Sequence, residues 1–421
     1  MGSLDAAALP LETDEGAGPV NDIAAQLAQL HEASLDRHTR LISGPQGPRV
    51  MLDGTPVLLL CSNNYLGLAD HPRVREAAAD AAMRWGVGAG ASRLVSGTMT
   101  IHERLERRLA DFEGTESCML YGSGYLANIG VLTTLGGAGQ TIFSDALNHA
   151  SIIDGCRLAR ADTFVYDHCD LEHLQWALRD RGREGDVIVT DSVFSMDGDV
   201  APLAGIVTLA RRHGALVGVD EAHATGTLGP GGRGAVAEAG LEGEVEVLVG
   251  TLSKALGSYG GYVCARSEIV ELLVNSSRSL IYSTAPSPPA AAGALAALEL
   301  LIEQPLRPEK LQSTAELLRR QLVAAGMPPR SGRTQIVPLI VGDAAATVRL
   351  SEAALARGVF AQAIRPPTVP AGSSRLRLTV MASHTATELA GAVAALGDAA
   401  REVGVTFDPV PDAAEPVARA A

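Results

Sequence analysis

Six short apolar runs, SCMLY, TIFS, DTFVY, DVIVT, ALVGVD and VEVLVG, recur between residues 117 and 265 with helix-length stretches between them. A strand that is apolar on both faces has to be covered on both, and a strand–helix–strand rhythm does this with a parallel sheet between two helical layers. Polar or glycine-rich residues follow the runs: GSGY, DALNHAS, DSVFSMDGD, EAHATGT and TLSKALG. Ligand sites in open parallel sheets gather at the carboxyl ends of the strands, so one site is expected beneath these loops.

Around this block the chain divides into five parts. Residues 1–20 read as a flexible lead and 21–60 as an N-terminal helix and hairpin segment. Residues 61–288 read as a large α/β domain, 289–405 as a smaller α+β domain and 406–421 as a disordered tail. Asn21 is placed to cap a helix whose Ile23, Leu27 and Leu30 form a stripe, and ordinary packing on the core is its expected use. Asp53-Gly54 between RVML and TPVLLL signals a tight hairpin turn. TAPSPP breaks the large domain from the helical run AAAGALAALELLIEQ. TQIVPLIVGD and SSRLRLTVMA then read as strands, flanked by helices near 345–357 and 385–400.

Composition narrows the function classes. With 421 residues, 47% hydrophobic and 19% charged, the chain has the profile of a globular α/β enzyme. Its net charge of −14 argues against nucleic-acid or anionic-membrane partners, so an anionic ligand must be met by local arginines or helix N-termini. Five cysteines without a C-x-x-C pair suit a reducing compartment. The acidic first residues lack the features of a secretory signal, and the longest apolar stretch carries prolines and a glutamate, which together predict a soluble cytoplasmic protein.

The loops carry recognisable chemistry. The glycines of GSGYLAN, Gly122 to Asn128, allow a turn whose N–H groups at a helix N-terminus would hold a phosphate. The same letters satisfy the dinucleotide fingerprint G-x-G-x-x-A, with Asp145 about where a ribose partner is expected, so a nicotinamide-dependent dehydrogenase is a rival reading. Asp220 ends a buried strand, where an ionised carboxylate needs a cation such as a protonated pyridine nitrogen. His223 could reach a ring hydroxyl on the same ligand, although a plain Asp–His pair that fixes the loop explains both residues too. Lys254 is one of only two lysines among 34 basic residues. A desolvated lysine can lose its proton and form an imine with an aldehyde, which arginine cannot do. With Thr251 as a phosphate donor on the same turn, these groups together describe a site for pyridoxal 5′-phosphate, PLP. The DHCDLEH cluster, with His168, Cys169 and His173, suggests zinc but lacks a second thiolate pair, and metal is not expected.

Taken in order, SNNYLGL, GSGYLAN, DALNHASIIDG, TDSVFSMDGD, DEAHATGTLG and GTLSKALGSYGGYV resemble the α-oxoamine synthases, over about residues 35–400. The resemblance implies the PLP-dependent transferase fold type I: a large domain with a mainly parallel seven-stranded sheet plus a smaller α+β domain. It implies that Lys254 bonds the cofactor, Asp220 pairs with its ring nitrogen, His223 and Ser195 contact its ring hydroxyl, and His149 stacks on the ring. Thr251 and the backbone of Gly124 and Tyr125 would hold the phosphate. Arg377, assisted by Asn63, would bind the amino-acid carboxylate, while Thr368 and an N-terminal arginine, Arg37 or alternatively Arg40, would touch substrate. The IRPPTVP stretch resembles the members that condense L-alanine with a pimeloyl thioester of coenzyme A or acyl carrier protein on the way to biotin. The other members, which use glycine or serine with acetyl, succinyl or long-chain thioesters, are the alternatives. A homodimer is implied as well, with Ser283 and Thr284 reaching the neighbour's phosphate.

Overall fold

The computed structural model describes residues 22–32 and 35–407. The lead at 1–20, Asn21 and the tail from 408 onward lie outside the described residues. The central sheet has strands β1 Ser117–Tyr121, β2 Thr141–Asp145, β3 Asp162–Tyr166, β4 Val187–Asp191, β5 Leu216–Asp220, β6 Val247–Thr251 and β7 Gly261–Ala265. Their spatial order is β1-β7-β6-β5-β4-β2-β3. Strands β2 to β6 pair in parallel, and β7 runs antiparallel between β1 and β6. Every residue of β2, β4, β6 and β7 is buried, as the doubly apolar runs require.

This order overturns the dinucleotide reading. The fingerprint needs the glycine turn and the acidic residue on neighbouring strands, but four strands separate β1 from β2. The Asp145 carboxylate is also spent within the protein, on His168 and on the N–H groups of Leu147 and Cys169.

Smaller sheets flank the central one. The hairpin Arg49–Leu52 and Thr55–Leu59 turns at Asp53 and Gly54, whose φ of 49° and 82° are the consecutive positive values of a tight primed turn. Val359–Phe360 pairs in parallel with the second hairpin strand, so the N-terminal segment and the C-terminal part share a sheet. Ile336–Gly342, Ser374–Thr379 and Gln362–Ile364 form a three-stranded antiparallel sheet with Ser374–Thr379 in its centre. The helix Pro288–Glu303 starts on prolines, tolerated because no N–H is needed there, and packs on the helices Pro72–Trp85 and Thr100–Glu113.

One expectation fails. The helix Ile23–Glu32 buries none of its residues, and Ile23 and Leu27 are 70% and 61% exposed. Periodicity established the helix and its stripe, but nothing in the described chain folds over that face. The capping contact belongs to Asp22, whose carboxylate accepts from the Ala25 N–H at 3.0 Å. Among the described residues no helix is long and apolar enough to cross a membrane.

At the top of the sheet, β7 lies against the turn that follows β1. A methyl group built on Gly261 would stand 2.4 Å from Gly124 N and from the Ser123 carbonyl carbon, backbone atoms that cannot swing away. Gly261→Ala is therefore expected to destabilise the fold by about 1–3 kcal/mol, as overpacked sites do. Denaturant unfolding measures this, and an unchanged midpoint would show that the turn can move.

Candidate active site

Lys254 lies just beyond the end of β6, in a turn pinned by Gly257 N–H on the Lys254 carbonyl and Ser258 N–H on the Leu252 carbonyl. Gly257 has φ 60°, and a side chain there would meet Ala69 N at 2.4 Å, so glycine lets the turn press on the segment after SNNYLGL. The Lys254 Nζ is 2.8 Å from His223 Nε2. Burial lowers the pKa of this amine to about 8, with the charges of Asp220 and Asp191 opposing the shift.

His223 follows β5 and is buried. Burial, with Lys254 and Arg377 nearby, pushes its pKa well below the ordinary value, so the ring is neutral. Its Nδ1 lies 2.7 Å from the Tyr65 hydroxyl, which also donates to Asn63 Oδ1 at 3.0 Å. Arg377, on the central strand of the three-stranded sheet, completes the row. Its Nη2 donates to the Tyr65 oxygen and its Nη1 to Asn63 Oδ1, both at 3.4 Å, while its Nε donates to the Ser195 carbonyl. All these acceptors are neutral. Arg377 is 7% exposed yet forms no ion pair among the described residues, which leaves a buried guanidinium lacking a carboxylate.

The opposite wall has the reverse deficit. Asp220 is buried at the end of β5, where its Oδ2 accepts from Asn128 Nδ2 at 2.6 Å and its Oδ1 from the Ala222 N–H at 2.8 Å. It forms no ion pair among the described residues. Asn128 also donates to Ser151 Oγ at 2.9 Å, and that hydroxyl lies 2.7 Å from His149 Nδ1. His149 caps the helix Ala150–Leu158 by accepting the Ser151 N–H on Nδ1. In the neutral ring the hydrogen is then on Nε2, free to point at a ligand.

Between these walls stands the start of the helix Gly124–Leu135, capped by Ser123 Oγ on the Leu126 N–H. The first N–H groups, on Gly124 and Tyr125, have no carbonyl one turn below and present a positive helix end. Thr251 closes this corner: a methyl built on Gly124 would stand 3.5 Å from its Cβ, although its hydroxyl is spent on the Gly260 carbonyl at 3.0 Å. An amine of lowered pKa, a buried carboxylate without a cation and a helix N-terminus beside a threonine are the complements of the aldehyde, ring nitrogen and phosphate of PLP. The residues present fit that cofactor.

Arg37 and Thr368 are placed elsewhere. They line a cleft of about 710 Å³ with Arg40, Arg349 and Arg365, and neither Lys254 nor Arg377 borders it. Within it Arg40 is engaged by Glu352 and lies over the Phe360 ring, while Arg37 has no such partner among the described residues. Three residues with evident work at the site had been given none by sequence reasoning. Tyr65 and Asn128 sit inside quoted motifs, Asn128 as a polar residue in an apolar helix. Asp191 ends β4 directly opposite Asp220 and accepts the His149 N–H at 2.7 Å. Burial, then the Asp220 charge, pushes its pKa well above the carboxylate range. In the suspected zinc cluster, both His168 nitrogens face carboxylates and His173 accepts the Asp167 N–H, so His168 keeps no lone pair for a metal.

The aminotransferase class I and II family profile matches residues 55–396. The 8-amino-7-oxononanoate synthase of Citrifermentans bemidjiense is 50% identical over 387 residues, covering 91% of this chain and 99% of that protein. Among solved structures, one of SPT with PLP superposes with a TM-score of 0.87 at 32% identity, covering 91% of this chain and 98% of that one. An 8-amino-7-oxononanoate synthase from Francisella tularensis gives 0.71 at 25% identity, covering 82% and 98%.

A lysine with a pKa of about 8 carries a pH signature. Only the unprotonated amine attacks an aldehyde, so the rate at which cofactor-free protein captures PLP is expected to rise with pH through about 8 and then level off. Stopped-flow absorbance measures this. A rate still climbing near the ordinary lysine value of about 10.4 would show the amine unperturbed.

Proposed function

The chain belongs to the aminotransferase class I and II family, and from that membership and the site geometry we propose that it condenses L-alanine with a pimeloyl thioester of coenzyme A or acyl carrier protein. The products are 8-amino-7-oxononanoate, carbon dioxide and the free thiol, a step of biotin biosynthesis. Relatives at about 50% identity carry that name. The observation that carries the reading is the row Lys254–His223–Tyr65–Arg377, which joins a deprotonatable amine to a guanidinium without a counter-ion.

When bound, PLP supplies an aldehyde for the amine and a ring that withdraws electrons from the substrate α-carbon. Lys254 would hold it covalently, Asp220 would keep its ring nitrogen protonated, and Ser195 and His223 would face its ring hydroxyl. The Gly124 and Tyr125 N–H groups, with Thr251, would take its phosphate, and His149 would cover its face. Arg377 then receives the alanine carboxylate in a two-pronged contact, with Asn63 beside it. Its two contacts at 3.4 Å are long and readily exchanged for an anion. Released from the cofactor by the incoming alanine amine, Lys254 Nζ would act as general base toward the α-hydrogen that the clamp orients. A bond forms from the α-carbon to the thioester carbonyl carbon, the thiol leaves, the original carboxylate departs as carbon dioxide, and Lys254 returns a proton to the same carbon. Arg37 and Thr368, in the 710 Å³ cleft apart from Lys254 and Arg377, would meet a distal part of the acyl substrate, and Arg37, without a partner among the described residues, suits that role better than Arg40.

We also read the enzyme as a cytoplasmic homodimer. Val87, Leu94, Val95, Tyr259 and Tyr282 are exposed. Several lie on segments tied together by the Ser92–Thr284 bridge and by the Ser287 hydroxyl on the Val87 carbonyl. Such apolar side chains, beside Ser283 and Thr284, suit a subunit interface.

Thiol release, measured for alanine, glycine and serine against pimeloyl, succinyl, acetyl and long-chain thioesters, tests the assignment. Turnover is expected with alanine and the pimeloyl thioester, and turnover with glycine alone would reject it. Lys254→Ala is expected to abolish turnover and borohydride trapping of the cofactor at that position. Arg377→Ala is expected to raise KM for alanine about 10- to 100-fold, the effect of losing hydrogen bonds to a charged group, with little change in KM for the thioester.

A further inference from the structure

His168 does not touch the site, yet both its ring nitrogens face carboxylates: Nδ1 is 2.9 Å from Asp145 Oδ1 and Nε2 is 2.6 Å from Asp199 Oδ2. A carboxylate only accepts, so each nitrogen must donate, and an imidazole donating from both is an imidazolium. Burial would depress its pKa, but the hydrogen bonds to Asp145 and Asp199, and the Cys169 sulfur 3.7 Å from Nε2, override this and hold it at about 12. The ring edge also packs on Phe194, with centroids 4.4 Å apart.

The two carboxylates belong to different loops. Asp145 ends β2, and by accepting the Leu147 N–H at 2.8 Å it shapes the turn that delivers Asn148 and His149. Asp199 lies in the turn closed by the Val193–Val200 bridge and by the Phe194 N–H on its own carbonyl at 3.0 Å. That turn presents Ser195, whose carbonyl accepts Arg377 Nε. Its other acid, Asp197, receives Arg330 Nη1 and Arg375 Nη1, each at 2.5 Å. The Ser195 turn is therefore held by cations on two sides, and the clasp at His168 ties its far end to the His149 turn, whose near side already meets Asp191 at the base of the Ser195 turn through the His149 N–H and Asn148 Oδ1.

We propose that His168 is a positioning residue, a permanently charged clasp that sets the turn bearing His149 against the turn bearing Ser195. Its consequence for turnover rests on the roles proposed above for His149, Ser195 and Arg377, whereas its charge does not. ¹⁵N NMR of histidine-labelled holoenzyme, with the His168 signal assigned by its loss in His168→Gln, should show both ring nitrogens protonated from pH 6 to about pH 9. A ring that titrates near the ordinary value of about 6.5 overturns the clasp, whatever the enzyme's substrate.

His168→Gln and Asp199→Asn, made singly and together, test the positioning. Each single change is expected to lower kcat about 10- to 100-fold, the usual cost of misplacing reacting groups by about an ångström, while the absorbance of the bound cofactor persists. The double variant should be no slower than the worse single, because both break one contact. A kcat within twofold of the parent, or losses that multiply, would reject the positioning role. Asp199→Asn, at the more exposed end, and the NMR of the unaltered protein decide the matter if His168→Gln fails to fold.

Discussion

Burying the Asp220 carboxylate at the end of β5 is the constraint around which the site is arranged. Among the described residues it meets an amide and a backbone N–H but no ion-pair partner. A carboxylate removed from water without a cation is costly, and the surrounding structure is arranged to hold it there. Asn128 spends its amide on it, and Asp191, the next acid along the sheet, is pushed toward its neutral form by burial and then by the same negative charge. A protonated ring nitrogen would relieve the deficit, and cofactor binding at Asp220 would then be part of the energetics of the folded state. The neighbouring Glu221 is satisfied differently: it accepts the Ala235 and Val236 N–H groups and the Ser192 hydroxyl. Adjacent acids thus divide into one that anchors the loop and one left for a ligand.

The groups proposed as catalytic come mostly from loops, but the loops are not left to themselves. The His223 carbonyl is held by Gln335 Nε2, from the bend just before the strand Ile336–Gly342, and Tyr65, from the segment after the hairpin, fixes the His223 ring. Arg377 is fixed by a strand with neighbours on both sides. Each functional side chain is therefore held by a second element distant in sequence, the condition for keeping a reactive geometry without a ligand to organise it.

Much of this was legible in the sequence because it follows from local pattern. Six of the central strands and the positions of Lys254, Asp220, His223 and His149 at strand or helix ends follow from apolar runs punctuated by polar loops. What was not legible depends on contacts that periodicity does not encode. The strand at 261–265 lies antiparallel between β1 and β6, and that insertion is what removed Asp145 from the glycine turn and ended the dehydrogenase reading. Tyr65 gained a role only when brought to His223, 158 residues away. The stripe on Ile23–Glu32 is real as a pattern, but a pattern does not say which surface will cover it. Spacing left Arg40 as an alternative to Arg37, and the ion pair of Arg40 with Glu352 is a difference between the two that spacing does not encode.

The site is also polarised, and this bears on selectivity in a chain of net charge −14. On one side lie Asp220 and Asp191, one strand apart. On the other lie Arg377 and, two residues before it on the same strand, Arg375, which shares the single carboxylate of Asp197 with Arg330. Lys254 stands between, its pKa raised by the acids and lowered by Arg377. A ligand carrying a protonated ring at one end and a carboxylate at the other has one favourable orientation in this field, and the reverse pairs like charges on both sides. Orientation is thus set by the charge on the two walls before any shape complementarity acts. The amine that must lose its proton sits where the two fields oppose each other, so burial is left to decide its protonation.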